Sequence, residues 1–248
     1  SFVNIVCAYF MVNIGMNVVL AVLLSLIIST FIGFLNGIII AELRMPALIV
    51  TFASQTIFAG YAYIICGGVP ISRMPESFLK LGQGYVGPIP VPVIVMVVIF
   101  AIGTFILNKT YFGRYFYALG GNEEAALLSG IKIKVVKCLV YSLSGLFAGI
   151  AGLVMLARAN TAQPNAGVGY EFDVITCVVL GGVSVNGGSG KMSNVIAGVL
   201  IIGVLSNGMV LMNISSYMQM VIKGIILLLA VGADCIQQMN LQKTKAIA

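Results

Sequence analysis

Few side chains in this sequence could carry covalent or acid–base chemistry. It contains no histidine, which removes the commonest general base and a common ligand of catalytic zinc. The cysteines are scattered without a Cys-x-x-Cys pair, and we interpret them as small buried apolar residues: Cys7, Cys66, Cys138, Cys177 and Cys235. We therefore predict no catalytic residue, no metal site and no cofactor bound by this chain.

The nearest approach to a phosphate-binding loop is the run Val-Asn-Gly-Gly-Ser-Gly-Lys-Met at residues 185–192. The Walker pattern requires glycine where Val185 stands and serine or threonine where Met192 stands. Neither position carries the residue that the pattern requires, and the surrounding sequence does not predict a soluble α/β domain. ATP and Mg²⁺, if they drive this protein, must therefore be bound by another polypeptide.

One long polar stretch, residues 108–137, interrupts an otherwise apolar sequence. Its basic residues outnumber its acids, so the positive-inside rule predicts a cytoplasmic loop; they are Lys109, Arg114, Lys132, Lys134 and Lys137, against Glu123 and Glu124. Asn122 followed by two carboxylates predicts a helix start, and Gly130 predicts a helix stop. A short helix facing the cytosol suggests a docking element, and the alternative is a solvated loop.

The composition of the chain predicts the kind of secondary structure that holds this polar stretch in place. The chain is 60% hydrophobic and 8% charged, with a mean hydropathy of +1.11. Soluble domains carry about 25% charged residues, so we predict an all-α polytopic membrane protein. At roughly 20 residues a span, about seven or eight spans fit. The net charge of +6 lies mostly in the cytoplasmic loop and tail, so we predict no nucleic-acid partner.

We predict one transmembrane domain over residues 1–248, in three parts. Residues 1–108 hold spans and an external loop, 109–137 the cytoplasmic loop, and 138–248 a second half of the bundle with a cytoplasmic tail. Apolar sequence starts at Phe2 without a basic lead, so we expect further spans to precede this segment. The segments 67–92, rich in Gly and Pro, and 158–171 are predicted to be external loops.

The apolar segment 172–185 is short and runs into a glycine-rich stretch. This pattern is typical of a broken or re-entrant helix that lines a cavity. Glycine backbone, hydroxyl and amide groups there would suit a polar solute, and the alternative is a cytoplasmic loop that only turns the chain. The candidates for a translocation pathway or gate are Gly181, Gly182, Ser184, Asn186, Gly187 and Gly188.

A short pattern occurs twice, as Gly-Phe-Leu-Asn-Gly at 33–37 and, with one inserted residue, as Gly-Val-Leu-Ser-Asn-Gly at 203–208. The first copy is predicted near the inner face and the second near the outer face, as in the inverted repeats of transporters. Coincidence between two glycine-rich helices is the alternative. The repeat adds Asn36 and Asn207 to the pathway candidates.

Ionisable residues within spans would favour a secondary transporter or a channel without an ATPase partner. Glu171, Asp173 and Asp234 fall near predicted span ends, which counts against that alternative. Lys223 lies near the start of the last predicted span, and we interpret it as a side chain that reaches back to the membrane surface.

Several stretches together resemble the permease subunits of bacterial ABC importers for monosaccharides. The likeness is carried, in order, by residues 112–126 with 129–131, 161–164 with 169–173, 178–182 with 187–190, and 207–220. Two positions depart from the family pattern: its Gly-Gly-Thr-Ser-Leu is Gly-Gly-Val-Ser-Val at 181–185, and an expected glycine is Asn194.

The resemblance implies a subunit of the bacterial cytoplasmic (inner) membrane that imports a monosaccharide, ribose or a related sugar, and is not itself an enzyme. The implied partners are a separate ABC ATPase subunit, an extracytoplasmic sugar-binding protein and a second permease copy. Residues 120–130 become the coupling helix that enters a groove on the ATPase. The implied coupling residues are Gly113, Arg114, Gly120, Gly121, Asn122, Glu123, Glu124, Ala125, Ala126, Ser129 and Gly130.

The external loops would then meet the loaded binding protein through charges at the rim of the contact, which guide encounter more than affinity. The candidate residues are Arg73, Lys80, Arg158, Gln163 and Glu171. The alternative for each of them is an ordinary solvated side chain.

Overall fold

The computed structural model describes residues 1–185 and 187–247, with side chains as far as Ile236. The described chain is built from helices, with four strands of two residues each. The helices are α1 (Phe2–Ala8), which continues into a π-helical turn (Tyr9–Asn13), α2 (Val18–Leu43), α3 (Ala47–Cys66), α4 (Glu76–Gln83), α5 (Val91–Lys109), α6 (Tyr111–Gly121), α7 (Glu123–Leu128), α8 (Ile133–Ala159), α9 (Tyr170–Leu180), α10 (Met192–Leu211) and α11 (Ser216–Ile247). The strands are β1 (Ile71–Ser72), β2 (Tyr85–Val86), β3 (Ile89–Pro90) and β4 (Thr161–Ala162).

Among the described residues, six helices are long and apolar enough to cross a membrane: α2, α3, α5, α8, α10 and residues 216–236 of α11. This confirms the prediction of a polytopic all-α membrane protein. Two further apolar helices are shorter: Phe2–Asn13 and the 11-residue α9. The predicted total of seven or eight spans includes such segments and stays a prediction.

The chain divides into two compact units. Unit 1 comprises residues 1–102 with 130–168, and unit 2 comprises residues 103–129 with the chain from 169 onward. The cytoplasmic loop predicted at 109–137 therefore contributes residues to both units. The predicted single domain over 1–248, with its three parts, stays a prediction.

In unit 1, α2 and α8 make the most extensive helix contact. A Cβ on Gly37 would lie 2.7 Å from the Cα of Cys138, and a Cβ on Gly33 would lie 3.2 Å from the Cα of Gly145. The hydroxyl of Ser29 donates a hydrogen bond to the carbonyl oxygen of Gly145 across this contact, at 2.5 Å. Small residues let helix backbones approach in lipid, where packing and hydrogen bonds drive association.

The two predicted external loops are ordered and joined at one end of unit 1. Strand β1 pairs antiparallel with β4, with Ile71 opposite Ala162. Helix α4 lies between them in sequence and buries Phe78, which is 2% exposed, in a core that includes Leu156. A second hairpin, β2 with β3, follows α4 and leads into α5.

In unit 2, α9 packs on α10 and α11. A Cβ on Gly181 would lie 2.8 Å from the carbonyl oxygen of Asn194, and Gly198 of α10 abuts the carbonyl group of Cys177. These glycines bring the backbones of α9 and α10 together where any side chain would keep them apart.

The two copies of the repeated pattern have different surroundings. Gly33 and Gly37 are buried against α8, whereas a Cβ on Gly203 or Gly208 would meet no described atom within 4 Å. The structure therefore gives the copies different packing within this chain. The predicted inverted repeat is not confirmed and stays a prediction.

Candidate functional site

The predicted coupling segment forms two short helices, α6 and α7, in unit 2. The Thr110 hydroxyl accepts a hydrogen bond from the backbone N–H of Gly113 and caps α6, and Gly113 lies tightly against the backbone of Leu107. That close approach lets α6 fold back directly after α5. The guanidinium of Arg114 lies 4.6 Å from the centre of the Tyr111 ring, so Arg114 is held at the start of α6.

Asn122 separates the two helices. It has extended backbone angles (φ −159°, ψ 107°), and its side-chain oxygen accepts a hydrogen bond from the backbone N–H of Ala125 at 2.9 Å. Glu123 and Glu124 occupy the first turn of α7, and Gly130 follows the helix with φ +82°. The predicted helix start at Asn122 and the predicted stop at Gly130 are both confirmed.

Gly120 and Gly121 do not form the turn that leads into α7. Both are the last residues of α6, and the chain bends at Asn122 instead. Asn122 can leave the helical conformation because its side chain caps the next helix. The glycines serve close packing: a Cβ on Gly120 would lie 2.5 Å from the backbone nitrogen of Gly188.

Helix α7 presents apolar side chains outward. Ala126 is buried at 4% exposure, while Leu127 and Leu128 are 59% and 84% exposed. Because this loop is predicted to face the cytosol rather than lipid, exposed leucines there are suited to a groove on another protein. Sequence reasoning missed both leucines as site residues; their position inside a charged loop is the signal that could have identified them.

The glycine-rich segment lies against the coupling helices. Gly187 and Gly188 contact the backbone of Gly120 and Gly121, and the Tyr117 hydroxyl donates a hydrogen bond to the carbonyl oxygen of Gly190 at 2.9 Å. Two site candidates that were separate in the sequence are therefore one surface in unit 2. The remaining candidates of the segment lie at its start: Gly181 packs on α10, Gly182 has φ +71°, and the N–H of Ser184 bonds to the carbonyl oxygen of Ser189. Asn186 lies outside the described residues.

The other pathway candidates are placed apart in the chain. Asn207 is exposed on α10 of unit 2, and Asn36 lies on α2 of unit 1. The side-chain oxygen of Asn36 accepts a hydrogen bond from the Ser54 hydroxyl of α3. The assignment of these residues to a pathway stays a prediction.

Asn36 lines a cavity of about 340 Å³ within unit 1, which we call the polar cavity although more of its wall is apolar than polar. Hydroxyl and amide side chains from α2, α3 and α8 contribute its polar groups: Ser29, Asn36, Thr51, Gln55, Tyr141 and Ser144. Asn4 also borders it, is 1% exposed, and its side-chain oxygen has no hydrogen-bond partner among the described residues. Such groups can bind a polyhydroxylated solute. Sequence reasoning identified only Asn36; polar residues inside otherwise apolar spans are the missed signal.

Asp173 and Lys223 form an ion pair between α9 and α11. The Lys223 Nζ lies 2.6 Å from Asp173 Oδ2, and the two side chains are 27% and 28% exposed. Lys223 therefore has a carboxylate partner on the neighbouring helix, and the interpretation that its side chain reaches back to the membrane surface stays a prediction.

Four docking candidates lie on the joined loops of unit 1. Arg73, Lys80, Arg158 and Gln163 are all exposed. The Asn160 side-chain oxygen accepts a hydrogen bond from the N–H of Met74 at 3.1 Å, which holds these loops together. Within these external segments, Lys80 belongs to the short helix α4 and Arg158 to the last turn of α8.

Glu171, the fifth docking candidate, belongs to unit 2 and lies in the first turn of α9, not in a loop. Its carboxylate accepts a hydrogen bond from the N–H of Gly169 at 3.0 Å and so caps the helix start. Its docking role, like those of the other four, stays a prediction.

Comparison with known proteins gives a consistent result. Residues 3–231 match the family described as "Branched-chain amino acid transport system / permease component". The ribose import permease of Bacillus subtilis (strain 168) is 46% identical over 226 residues, which cover 90% of this chain and 70% of that protein. The corresponding permease of Haemophilus influenzae is 42% identical over 228 residues, covering 90% and 71%.

A permease of the L-arabinose transport system from Escherichia coli (strain K12) is 45% identical over 203 residues, covering 82% of this chain and 62% of that protein. No solved structure matches the chain. The family match covers most of the sequence, and the relatives exceed 40% identity over nearly its whole length. The chain therefore belongs to this family of membrane-embedded transport permeases.

Proposed function

We propose that this chain is the membrane-spanning permease subunit of an ATP-driven importer that moves a monosaccharide, ribose or a related sugar, into the cytoplasm. The observation that carries the proposal is the 46% identity to a ribose import permease over 90% of the chain. The permease relatives and the six apolar helices among the described residues indicate a multi-pass protein of the bacterial inner membrane. It is a transport subunit and not an enzyme.

ATP and Mg²⁺ belong, in this proposal, to a separate ATPase subunit that receives α6 and α7. The exposed Leu127 and Leu128 would enter an apolar groove, while the Asn122 cap fixes the direction of α7. A helix seated in a groove can convert closure of the ATPase into movement of the membrane helices.

The sugar would arrive on an extracytoplasmic binding protein. Arg73, Lys80 and Arg158 are exposed and basic on the joined loops of unit 1, so they suit an acidic rim on that partner. A second permease copy completes the proposed transporter. The polar cavity of unit 1 supplies hydroxyl and amide groups that could hold a sugar along the route.

A secondary transporter without an ATPase is the second candidate, and the Asp173–Lys223 pair favours it. Ionisable residues inside membrane helices commonly serve ion coupling. The two candidates differ in whether a separate ATPase must bind this chain.

Co-purification tests the first candidate. A tagged permease should bring down an ATPase subunit from the same membranes, and Leu128→Asp should abolish the complex because it places a charge in an apolar groove. The matched control is Val86→Asp, which places the same charge on an exposed apolar residue, at 62% exposure, in the β2–β3 hairpin of unit 1, outside the membrane spans and away from the coupling segment. If the Leu128→Asp variant retained the ATPase, α7 would not be part of the docking surface.

A further inference from the structure

The coupling helices and the glycine-rich segment meet through their main chains. A Cβ on Gly120 would lie 2.5 Å from the backbone nitrogen of Gly188, and a Cβ on Gly188 would lie 2.5 Å from the Cα of Gly121. Both distances are far inside van der Waals contact, so neither position has room for a side chain. We call Gly120, Gly121, Gly187 and Gly188 the glycine contact.

A hydrogen bond reinforces this contact. The Tyr117 hydroxyl, one turn before Gly120 on α6, donates to the carbonyl oxygen of Gly190 at 2.9 Å. Gly188 has φ +74° and Gly190 has φ +147°, conformations that other residues rarely adopt. The segment is therefore held in one specific path along the last turn of α6.

The segment is also fixed to the helices beyond it. The N–H of Val183 bonds to the carbonyl oxygen of Val178 on α9 at 3.2 Å. The N–H of Val185 donates to Asp234 Oδ2 on α11 at 3.2 Å. Gly181 packs on the backbone of Asn194 on α10. One short stretch thus joins α6 to α9, α10 and α11.

We propose that the glycine contact transmits movement of the coupling helices to α9, α10 and α11. Longer side chains between α6 and the segment could absorb a small displacement by changing rotamer, whereas backbone in direct contact must move with its neighbour. The coupling segment then moves α9, α10 and α11 through this contact, in addition to the membrane helices that precede and follow it in the sequence. This inference rests on the proposed function, because an ATPase must supply the movement.

Gly120→Ala tests the inference. Alanine favours a helix over glycine, so α6 itself is not weakened, but the new Cβ forces Gly120 and Gly188 apart. We expect the Gly120→Ala transporter to keep its ATPase subunit and to hydrolyse ATP. Sugar uptake should fall at least about tenfold, because a displacement of about 1 Å between groups that must act together can lower a rate by that much or more. Gly121→Ala, whose Cβ would lie 4.0 Å from the Cα of Gly188, should lose much less uptake.

Two further variants separate transmission from misfolding. Gly203→Ala makes the same change at a position on α10 that has no described atom within 4 Å of the added Cβ, and should transport normally. Tyr117→Phe removes the hydrogen bond to Gly190 without adding atoms, and should lower uptake per ATP hydrolysed at an unchanged yield of folded protein.

Uptake by the Gly120→Ala transporter equal to that of Gly203→Ala would overturn the inference. Loss of the ATPase subunit from the Gly120→Ala complex would overturn it as well, since the contact would then serve docking. If the unaltered permease captures no ATPase, the proposed function is wrong and this inference is wrong with it. If the unaltered permease captures the ATPase but the Gly120→Ala transporter takes up sugar normally, only this inference is wrong.

Discussion

Lys223 and Asp173 form an ion pair between α11 and α9, and each side chain is about a quarter exposed. Lys223 lies about 16 Å along α11 from Asp234, at about 1.5 Å per residue, and Asp234 is bonded to the segment that contacts the coupling helices. Lys223 lies within the apolar residues 216–236 of α11, and Asp173 lies in the first turn of α9. The sequence could show that Lys223 is unusual, but not its partner 50 positions earlier, because the pairing depends on how α9 and α11 pack.

Breaking this pair should destabilise the protein. Lys223→Met leaves the Asp173 carboxylate without its counter-ion among apolar helices, and we expect a loss of about 1–3 kcal/mol, less than for a fully buried pair because both side chains are about a quarter exposed. Thermal unfolding in detergent measures the change. The double variant Lys223→Met with Asp173→Leu should recover most of the loss, and an unchanged midpoint for Lys223→Met alone would contradict the pairing.

At the scale of elements, the sequence predicted helix ends that depend on neighbouring residues, but not contacts between residues far apart in the chain. Asn122 and Gly130 mark the ends of α7 because capping depends on a few neighbouring residues. Local reasoning could not assign a packing role to Gly120 and Gly121, because that role is set by Gly187 and Gly188, far along the chain. The pairing of β1 with β4 likewise joins two loops that nothing in their separate sequences connects.

The cap on α7 gives a prediction at this scale. Asn122→Ala removes the acceptor for the N–H of Ala125 and should cost α7 about 1 kcal/mol. A frayed α7 would hold Leu127 and Leu128 less firmly, so we expect weaker binding of the ATPase subunit at unchanged permease yield. Binding titrated in nanodiscs measures this, and Asn122→Asp, which can still cap, is the control. Equal affinity of the Asn122→Ala and Asn122→Asp variants would show that the cap does not order the docking helix.

At the scale of the whole molecule, each unit agrees with the topology predicted from charge. In unit 1 the two predicted external loops pair at one end, while Lys134 of α8 and Glu42 of α2, both predicted on the cytoplasmic side, form an ion pair at 2.6 Å. That pair is exposed and adds little stability, but it shows that the two helix ends are neighbours. In unit 2 the coupling helices share one surface with the glycine-rich segment.

The composition of the chain was enough to predict a polytopic helical protein. The polar cavity could not be predicted from the sequence, because residues from separate spans form its wall.

The central claim is that a separate ATPase drives sugar through this permease by way of α6 and α7. The most direct measurement is uptake of labelled ribose, and of other pentoses, into proteoliposomes that contain the permease and its sugar-binding protein, with and without the ATPase subunit and ATP. We predict accumulation against a gradient only when both the ATPase and ATP are present. Uphill accumulation by the permease without the ATPase, driven by an ion gradient, would contradict the account.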